Sequence, residues 1–289
     1  MSAIIMDGKA VAARVREGVA GDVAAMRSRG EDAPCLAVVL CNDNPASAIY
    51  VRNKGRAAQQ VGMRFELHTP GLASTTEQLV ALVERLNADD GVDGLLVQLP
   101  LPEHVDQDRV SDAVAPEKDA DGFHPLNFGE LAEGRRVPVG PGTPMGCMEL
   151  LRAYDVPVSG ARAVVVGRSV IVGRPMAVLL TNADATVTLC HSKTRDLAAA
   201  CRQADILVSA IGRPRLIDAS YVSPGACVID VGITSVDGAV TGDVDRDSVE
   251  PVAGWLTPVP GGVGPMTIAM LLRNTLQRAR ARRTRSPAA

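Results

Sequence analysis

A chain of 289 residues can hold one large or two medium domains, and 46% hydrophobic with 22% charged residues is the make-up of an ordinary globular protein. Only 2% of residues are aromatic and the formal net charge is −3, so the core must be aliphatic and nucleic acid is excluded as an expected partner. No apolar run approaches the ~20 residues that span a bilayer, and the start MSAIIMDGKA carries neither a basic nor a long apolar segment; a cytosolic protein with no membrane partner is expected.

Residues 7–29 have helical spacing, with Val11, Val15, Val19, Val23 and Met26 near one face. CLAVVLC (35–41) reads as a buried strand, 46–61 as a helix, RFELH (64–68) as a strand, TTEQLVALVERLN (75–87) as a helix and VDGLLVQL (92–99) as a strand. From about 115 to 145 the alternation lapses into a Pro- and Gly-rich stretch, read as a linker or a functional loop region. A helix at 146–154 follows. Strands are then expected at 161–167, 185–190, 204–212 and 226–232, with helices at 173–182 and 195–202. The last helix runs from near Pro265 to about Arg283. Strands alternating with helices imply parallel sheets, so the fold class is α/β, in two tandem units. The basic end RARARRTRSPAA, with Arg278, Arg280, Arg282, Arg283 and Arg285, reads as a solvated helix end fraying into a polar tail. The six cysteines form no C-x-x-C pair and sit mostly in apolar runs, which predicts buried reduced thiols and no metal site.

VVVGRSVIVGRP (164–175) carries the first chemical signal. A parallel strand ending in glycine before a helix puts backbone N–H groups and a positive helix end where a pyrophosphate can sit. Gly167 permits the sharp turn, Gly173 a close backbone approach, and Pro175 suits the first helical turn. The spacing is not G-x-G-x-x-G, and a purely structural turn would read the same way. NAD-binding units place an acid about 20 residues on, to bond the ribose hydroxyl. Here the second strand ends in His191-Ser192-Lys193, with Arg168 and Ser169 at the turn, a set that suits a 2′-phosphate and favours NADP unless these side chains only face solvent.

The first unit contributes Tyr50 and Lys54, four apart and so on one helix face, either a clamp with a proton-transfer group or a plain surface face. Gln98 lies between Val97 and Leu99 at a strand end and needs a partner there. Asp119 and Asp121 share a short loop ahead of Gly122, which as a solvated turn or a metal cluster would look the same. Late in the chain, TPVPGGVGPMT exposes bare backbone at Pro260, Gly261, Gly262 and Gly264, either a shaped connection or the border of a site.

Y-V-R-N-K (50–54), V-Q-L-P-L-P (97–102), K-D-A-D-G-F (118–123), G-R-S-V-I-V-G-R-P (167–175), C-H-S-K-T (190–194), D-V-G-I (230–233) and P-G-G-V-G-P-M-T (260–267) occur in this order. Together they resemble the bifunctional methylenetetrahydrofolate dehydrogenase/methenyltetrahydrofolate cyclohydrolase family over essentially the whole chain. Two positions depart from the family pattern, Gly142 where cysteine is frequent and Ala120 where valine is usual; neither is a reacting group.

The resemblance implies a folate-binding catalytic domain of residues 1–142 and 266–289 and a Rossmann-type NADP-binding domain of residues 143–265, the final helix returning to the first domain. It implies tetrahydrofolate derivatives as ligands, bound in the cleft between the domains, and a homodimer formed mainly through the cofactor domains. Lys54 would be the acid–base group of the cyclohydrolase step, aimed by Gln98; Asp121 would grip the pterin and Tyr50 stack on it. Val97, Leu99, Pro260, Gly261, Gly262 and Gly264 would line the substrate. Gly167, Arg168, Ser169, Gly173, Ser192 and Ile233 would hold NADP. A shikimate-type or dehydrogenase-only enzyme, or a binding protein without turnover, are the rival readings.

Overall fold

The structure, a computed structural model, describes residues 2–135 and 139–285, Arg285 by its backbone alone. The chain divides into two units, residues 14–140 with 268 onward, and residues 1–13 with 141–267. It opens with the short strand β1 (Ile4–Ile5) and helix α1 (Gly8–Ser28).

The 14–140 unit is built on β2 (Cys35–Leu40), α2 (Pro45–Gln60), β3 (Arg64–His68), α3 (Thr76–Ala88) and β4 (Gly94–Gln98). The three strands form a parallel sheet in the order β3-β2-β4. Central β2 turns Leu36 and Val38 into one apolar cluster, with Val51, Leu96 and Leu271. It turns Ala37, Val39 and Cys41 into another, with Leu79, Val83 and Val110. Both faces are covered, which is why the sequence there is an unbroken apolar run rather than an alternating one. Helix α2 starts where Asn44 Oδ1 accepts from Ala46 N at 2.9 Å and Pro45 fills the first turn. Helix α3 starts at a reciprocal cap, Thr75 Oγ1 accepting from Gln78 N and Gln78 Oε1 from Thr75 N.

Of the stretch read as a linker or a functional loop region, the described part is a mixture of buried and exposed residues, with Lys118, Asp119 and Ala120 buried. It follows α4 (Gln107–Asp112) and contains α5 (Pro125–Ala132), whose first turn is capped by the His124 ring accepting from Leu126 N. Pro125 and Gly142 start helices there, and Gly122 and Gly134 take turns with positive φ.

The other unit runs through α6 (Gly142–Ala153), β5 (Arg162–Val166), α7 (Gly173–Asn182), β6 (Thr186–Cys190), α8 (Leu197–Cys201), β7 (Ile206–Ser209) and β8 (Cys227–Asp230). A hairpin of β9 (Thr234–Val236) and β10 (Ala239–Thr241), α9 (Arg246–Val249) and β11 (Trp255–Leu256) follow, before α10 (Val263–Arg285). Six strands make one parallel sheet in the order β1-β11-β8-β7-β5-β6. After β5 the chain steps to one side for β6 and then to the other for β7. That reversal opens a crevice at the strands' carboxyl ends, the place where doubly wound sheets take ligands. Residues 1–13 group with this unit, not with the first as expected, because β1 pairs with β11 and Asp7 N donates to the Tyr154 hydroxyl at 2.6 Å.

Within the described residues, the arginines of the basic end are not merely solvated. Arg278 is 7% exposed and donates through Nε to Asp119 O at 3.1 Å. Arg282 reaches Val92 O at 2.6 Å and Asp93 Oδ1 at 3.2 Å, Arg283 reaches Asp32 O at 2.8 Å, and Arg280 pairs with Asp22 at 2.8 Å. The arginines run up one end of α10 onto carbonyls and carboxylates of their own unit. Arg285's side chain and residues 286–289 lie outside the described residues. All six cysteines are buried and free, and burial pushes Cys147 and Cys227 up to about 12, so these thiols are inert.

Candidate active site

Helix α2 presents Tyr50 and Lys54 one turn apart. Tyr50 is partly exposed, whereas Lys54 is only 5% exposed, so the pair is not a plain surface face. The Lys54 amine lies 5.0 Å from the Tyr50 ring centroid, within cation–π reach. Gln98, the last residue of β4, accepts from it through Oε1 at 3.1 Å. Gln98 Nε2 donates to Leu99 O at 2.9 Å, which fixes the amide so that its oxygen faces the amine. Along β4, Gly94–Leu96 are buried and Val97, Gln98 and Leu99 emerge as partly exposed, at the sheet's carboxyl edge. Asn42 Nδ2 holds the following turn by donating to Pro100 O at 2.8 Å.

Asp121 faces the same amine. Burial lowers the Lys54 pKa, opposed by the Asp121 carboxylate. Burial raises Asp121, opposed by Lys54 and helped by Asp119. Each group loses hydration and regains part of the cost from the other. The result is an amine whose charged form is less favoured than that of a solvated lysine.

Asp119, which looked like Asp121's twin in sequence, has a different task. It is buried, and its carboxylate accepts from Gly122 N at 2.9 Å, His124 N at 2.9 Å and Asn127 Nδ2 at 2.8 Å. It is neither a solvated turn residue nor half of a metal pair; it shapes the turn on which Asp121 stands. Lys118 is equally internal, its amine donating at 3.0 Å to Leu86 O, a carbonyl in the last turn of α3. No sequence signal separated these residues, because their partners lie in other elements.

In the other unit, Gly167 ends β5 with φ +125°, and a Cβ there would stand 2.2 Å from Ala210 O. A Cβ on Gly173 would stand 1.9 Å from Gly167 O. The turn is closed on itself to a degree no side chain permits. Ser169 Oγ accepts from Val172 N at 3.1 Å and Gly173 N at 3.3 Å, so those two amides at the helix start bond within the turn instead of standing free, as expected from sequence. Strand β6 lies beside β5, with Val166 opposite Cys190 and Gly167 N donating to Cys190 O at 2.9 Å. Arg168 after one strand and Ser192-Lys193 after the other therefore emerge at adjoining strand ends, all exposed.

Across the switch point two buried carboxylates hold the neighbouring loops. Asp243 accepts from Ser209 Oγ at 3.0 Å, Ile211 N at 2.7 Å and Arg213 N at 2.8 Å. Asp230 accepts from Gly232 N, Asp243 N and Val244 N, and burial raises it to about 6. Ile233 follows, 64% exposed, and a Cβ on Gly264 would touch its Cδ1 at 3.8 Å. Gly264 lies in the first turn of α10, not in the loop before it. Gly262 has a local reason to be glycine: a Cβ would meet Pro258 O at 2.6 Å, and a Cβ on Gly8 would meet Gly262 O at 1.7 Å. Gly261 has φ +110° and Pro260 follows a cis peptide, which shape the same bend. Gly261 and Gly264 keep space beside their Cα, whereas Gly262 does not.

Comparison with known proteins matches both units. Residues 6–121 fit the model of the tetrahydrofolate dehydrogenase/cyclohydrolase catalytic domain, and residues 141–283 that family's NAD(P)-binding domain. The bifunctional protein FolD of Koribacter versatilis is 52% identical over 305 residues, covering 98% of this chain and 99% of that one. The FolD methylenetetrahydrofolate dehydrogenase/cyclohydrolase of Campylobacter jejuni superposes with TM-score 0.95 at 45% identity, over 97% of this chain and all, 100%, of that one. The Trypanosoma brucei FolD, solved with NADP cofactor and an inhibitor, gives TM-score 0.93 at 41% identity, over 99% of this chain and 100% of that one. A Thermus thermophilus shikimate 5-dehydrogenase, covering 86% of this chain and 99% of its own, shares the fold alone, at 18% identity and TM-score 0.50. The chain belongs to the tetrahydrofolate dehydrogenase/cyclohydrolase family.

Proposed function

We propose that the chain is a bifunctional enzyme of one-carbon metabolism. It oxidises 5,10-methylenetetrahydrofolate to 5,10-methenyltetrahydrofolate with NADP⁺ and hydrolyses the product to 10-formyltetrahydrofolate. The observation that carries this reading is the buried Lys54 amine, held at 3.1 Å by Gln98 Oε1 and facing Asp121.

Bound NADP⁺ supplies the hydride acceptor of the first step. The residues of the turn fit it: Gly167 and Gly173 bring backbone close, and Arg168, Ser192 and Lys193 offer a 2′-phosphate cationic and hydroxyl partners where no acid follows β6. Ser169 acts by keeping the turn closed, and Ile233 flanks the nicotinamide. Hydride removal needs no protein base, so the task of the first unit in that step is orientation. Asp121 accepts from the pterin's amino and ring N–H groups, Tyr50 lies against the ring, and Val97 and Leu99 pack beside it. Pro260, Gly261, Gly262 and Gly264 would belong to the substrate set through backbone.

The second step adds water to the methenyl cation. Lys54, with its proton affinity lowered by burial, takes a proton from the attacking water and returns it to the ring nitrogen as the carbon–nitrogen bond breaks, while the carbinol hydroxyl gives its proton to solvent and becomes the formyl carbonyl. The approaching substrate cation lowers that affinity further. Gln98 keeps the amine on line. A dehydrogenase-only enzyme would have no use for a desolvated amine so held, and a binding protein would not need it either.

Two copies associate through the cofactor units, a reading that rests on the family and is supported by exposed Val236 and Val240 on the β9–β10 hairpin. Sedimentation velocity tests it. The protein works in the cytoplasm on this reading; among the described residues, no helix is long and apolar enough to cross a membrane. The deciding experiment for function incubates the protein with 5,10-methylenetetrahydrofolate and NADP⁺. NADPH, then methenyl, then formyl product is expected; NADPH without formyl product contradicts the second activity.

A further inference from the structure

Asp121 stands between two peptide groups, each held through one of its polar atoms. Behind it, the Ala120 carbonyl accepts from Asn274 Nδ2 at 2.9 Å. Ahead of it, Gly122 N donates to Asp119 Oδ1 at 2.9 Å. One residue further back, Asp119 O accepts from Arg278 Nε at 3.1 Å. Asn274 and Arg278 are four apart on α10, so one face of the helix grips consecutive carbonyls of the turn.

Asn274 is the informative member. It is 1% exposed, and its Nδ2 also donates to Gly140 O at 2.9 Å, so both amide hydrogens go to carbonyls. Two facing carbonyls fix the amide's orientation, since a flip would set oxygen against oxygen. Its Oδ1 then has no hydrogen-bond partner among the described residues. A buried acceptor left unpaired is costly, and a leucine of similar size would carry no such penalty. Such a residue is kept in a core for what its donor does. Here the donor fixes the backbone directly before Asp121, while neighbouring Ala120 packs its methyl into the core at 0% exposed.

We infer that Asn274 is a positioning residue for the dehydrogenase/cyclohydrolase reaction: it fixes the turn that aims the Asp121 carboxylate. The inference rests on the proposed role of Asp121 in gripping the folate, and it concerns a residue about 150 positions away in sequence from the one it serves.

The test is Asn274→Leu in the full chain, read in two ways. Hydrogen exchange followed by mass spectrometry should show amides of residues 118–124 exchanging about ten-fold faster, with residues 162–166 unchanged. The KM for 5,10-methylenetetrahydrofolate should rise about ten-fold, as expected for one lost buried hydrogen bond, with KM for NADP⁺ within about two-fold. In an Asp121→Asn background the same substitution should raise the folate KM no further. Unchanged exchange at 118–124 overturns the inference, as does a folate KM effect that multiplies in the Asp121→Asn background. If Asp121→Asn alone leaves the folate KM unchanged, the gripping role of Asp121 fails, and the exchange measurement still decides whether Asn274 fixes the turn. Should Asn274→Leu not fold, Asn274→Ser, too short to reach both carbonyls, is read by the same criteria.

Discussion

Replacing Lys54 by methionine separates the two activities. The side chain is 5% exposed, so a methionine of similar length fills the space, although Asp121 then loses the amine that offsets its burial. What is lost is the amine that meets Gln98 Oε1 at 3.1 Å, and with it the proton acceptor for water addition. General-base catalysis contributes about 10²–10⁴-fold, or roughly 3–5 kcal/mol, and the cyclohydrolase rate should fall by that much. Hydride transfer uses this part of the site for orientation only, so its rate should stay within about ten-fold of the parent. The pH dependence supplies a second reading. The unprotonated amine is the active form, so the cyclohydrolase rate rises with pH through the Lys54 pKa. Because burial lowers that pKa from its ordinary value of 10.5, the midpoint of the rise should lie below that value. In Lys54→Met the residual rate should lose this limb. The assay follows decay of methenyl absorbance and appearance of NADPH separately, from pH 5 to 9. Equal losses in both activities with folate binding intact would refute the assignment, and so would a pH limb that survives the substitution.

Arg168→Ala should raise the KM for NADP⁺ by about ten-fold or more and that for NAD⁺ by far less, since only the former carries the 2′-phosphate; comparable losses refute the role. Gly173→Ala places a methyl 1.9 Å from Gly167 O and 2.9 Å from Arg168 N, backbone atoms that cannot swing aside. It should cost at least ~1–3 kcal/mol in denaturant unfolding, together with weakened NADP⁺ binding. Asp230, raised by burial from 3.8 to about 6, holds a proton in the folded state that the unfolded chain has released. Its contribution to stability therefore falls as pH rises through that window, and the stability of Asp230→Asn relative to the parent should improve by up to ~3 kcal/mol between pH 4 and pH 7. A pH-independent difference would show that the carboxylate titrates normally.

What the sequence reveals and hides divides along the distance between partners. Helices α2 and α3 are legible because everything that starts them is local: Asn44 bonds two residues on, and Thr75 and Gln78 cap each other. Strand β2 is legible because burial on both faces leaves an unbroken apolar run. Strands β1 and β11 are two residues each, too short for any period, and exist through pairing across most of the chain's length. The turn at Gly167 is readable as a glycine requirement, but not that Ser169 takes up two of the amides at the start of α7.

The polar interior is the hidden part. Helical spacing puts Lys54 beside Tyr50, yet nothing in a stretch as polar as RNKGR says that this lysine is buried and its neighbour Arg52 is not. Its partner Gln98 is 44 residues away, Arg278 meets Asp119 across 159 and Asn274 meets Ala120 across 154. Hydrophobic pattern alone names no partner for any of these side chains, and it reads the arginines at the end of α10 as a solvated helix end. A buried polar group is stable only with its partner in place, so its environment is a property of the pair. The site's chemistry depends on such pairs: the amine is desolvated because the sheet edge supplies Gln98, and Asp121 is aimed because a helix from the far end of the chain holds the peptide before it.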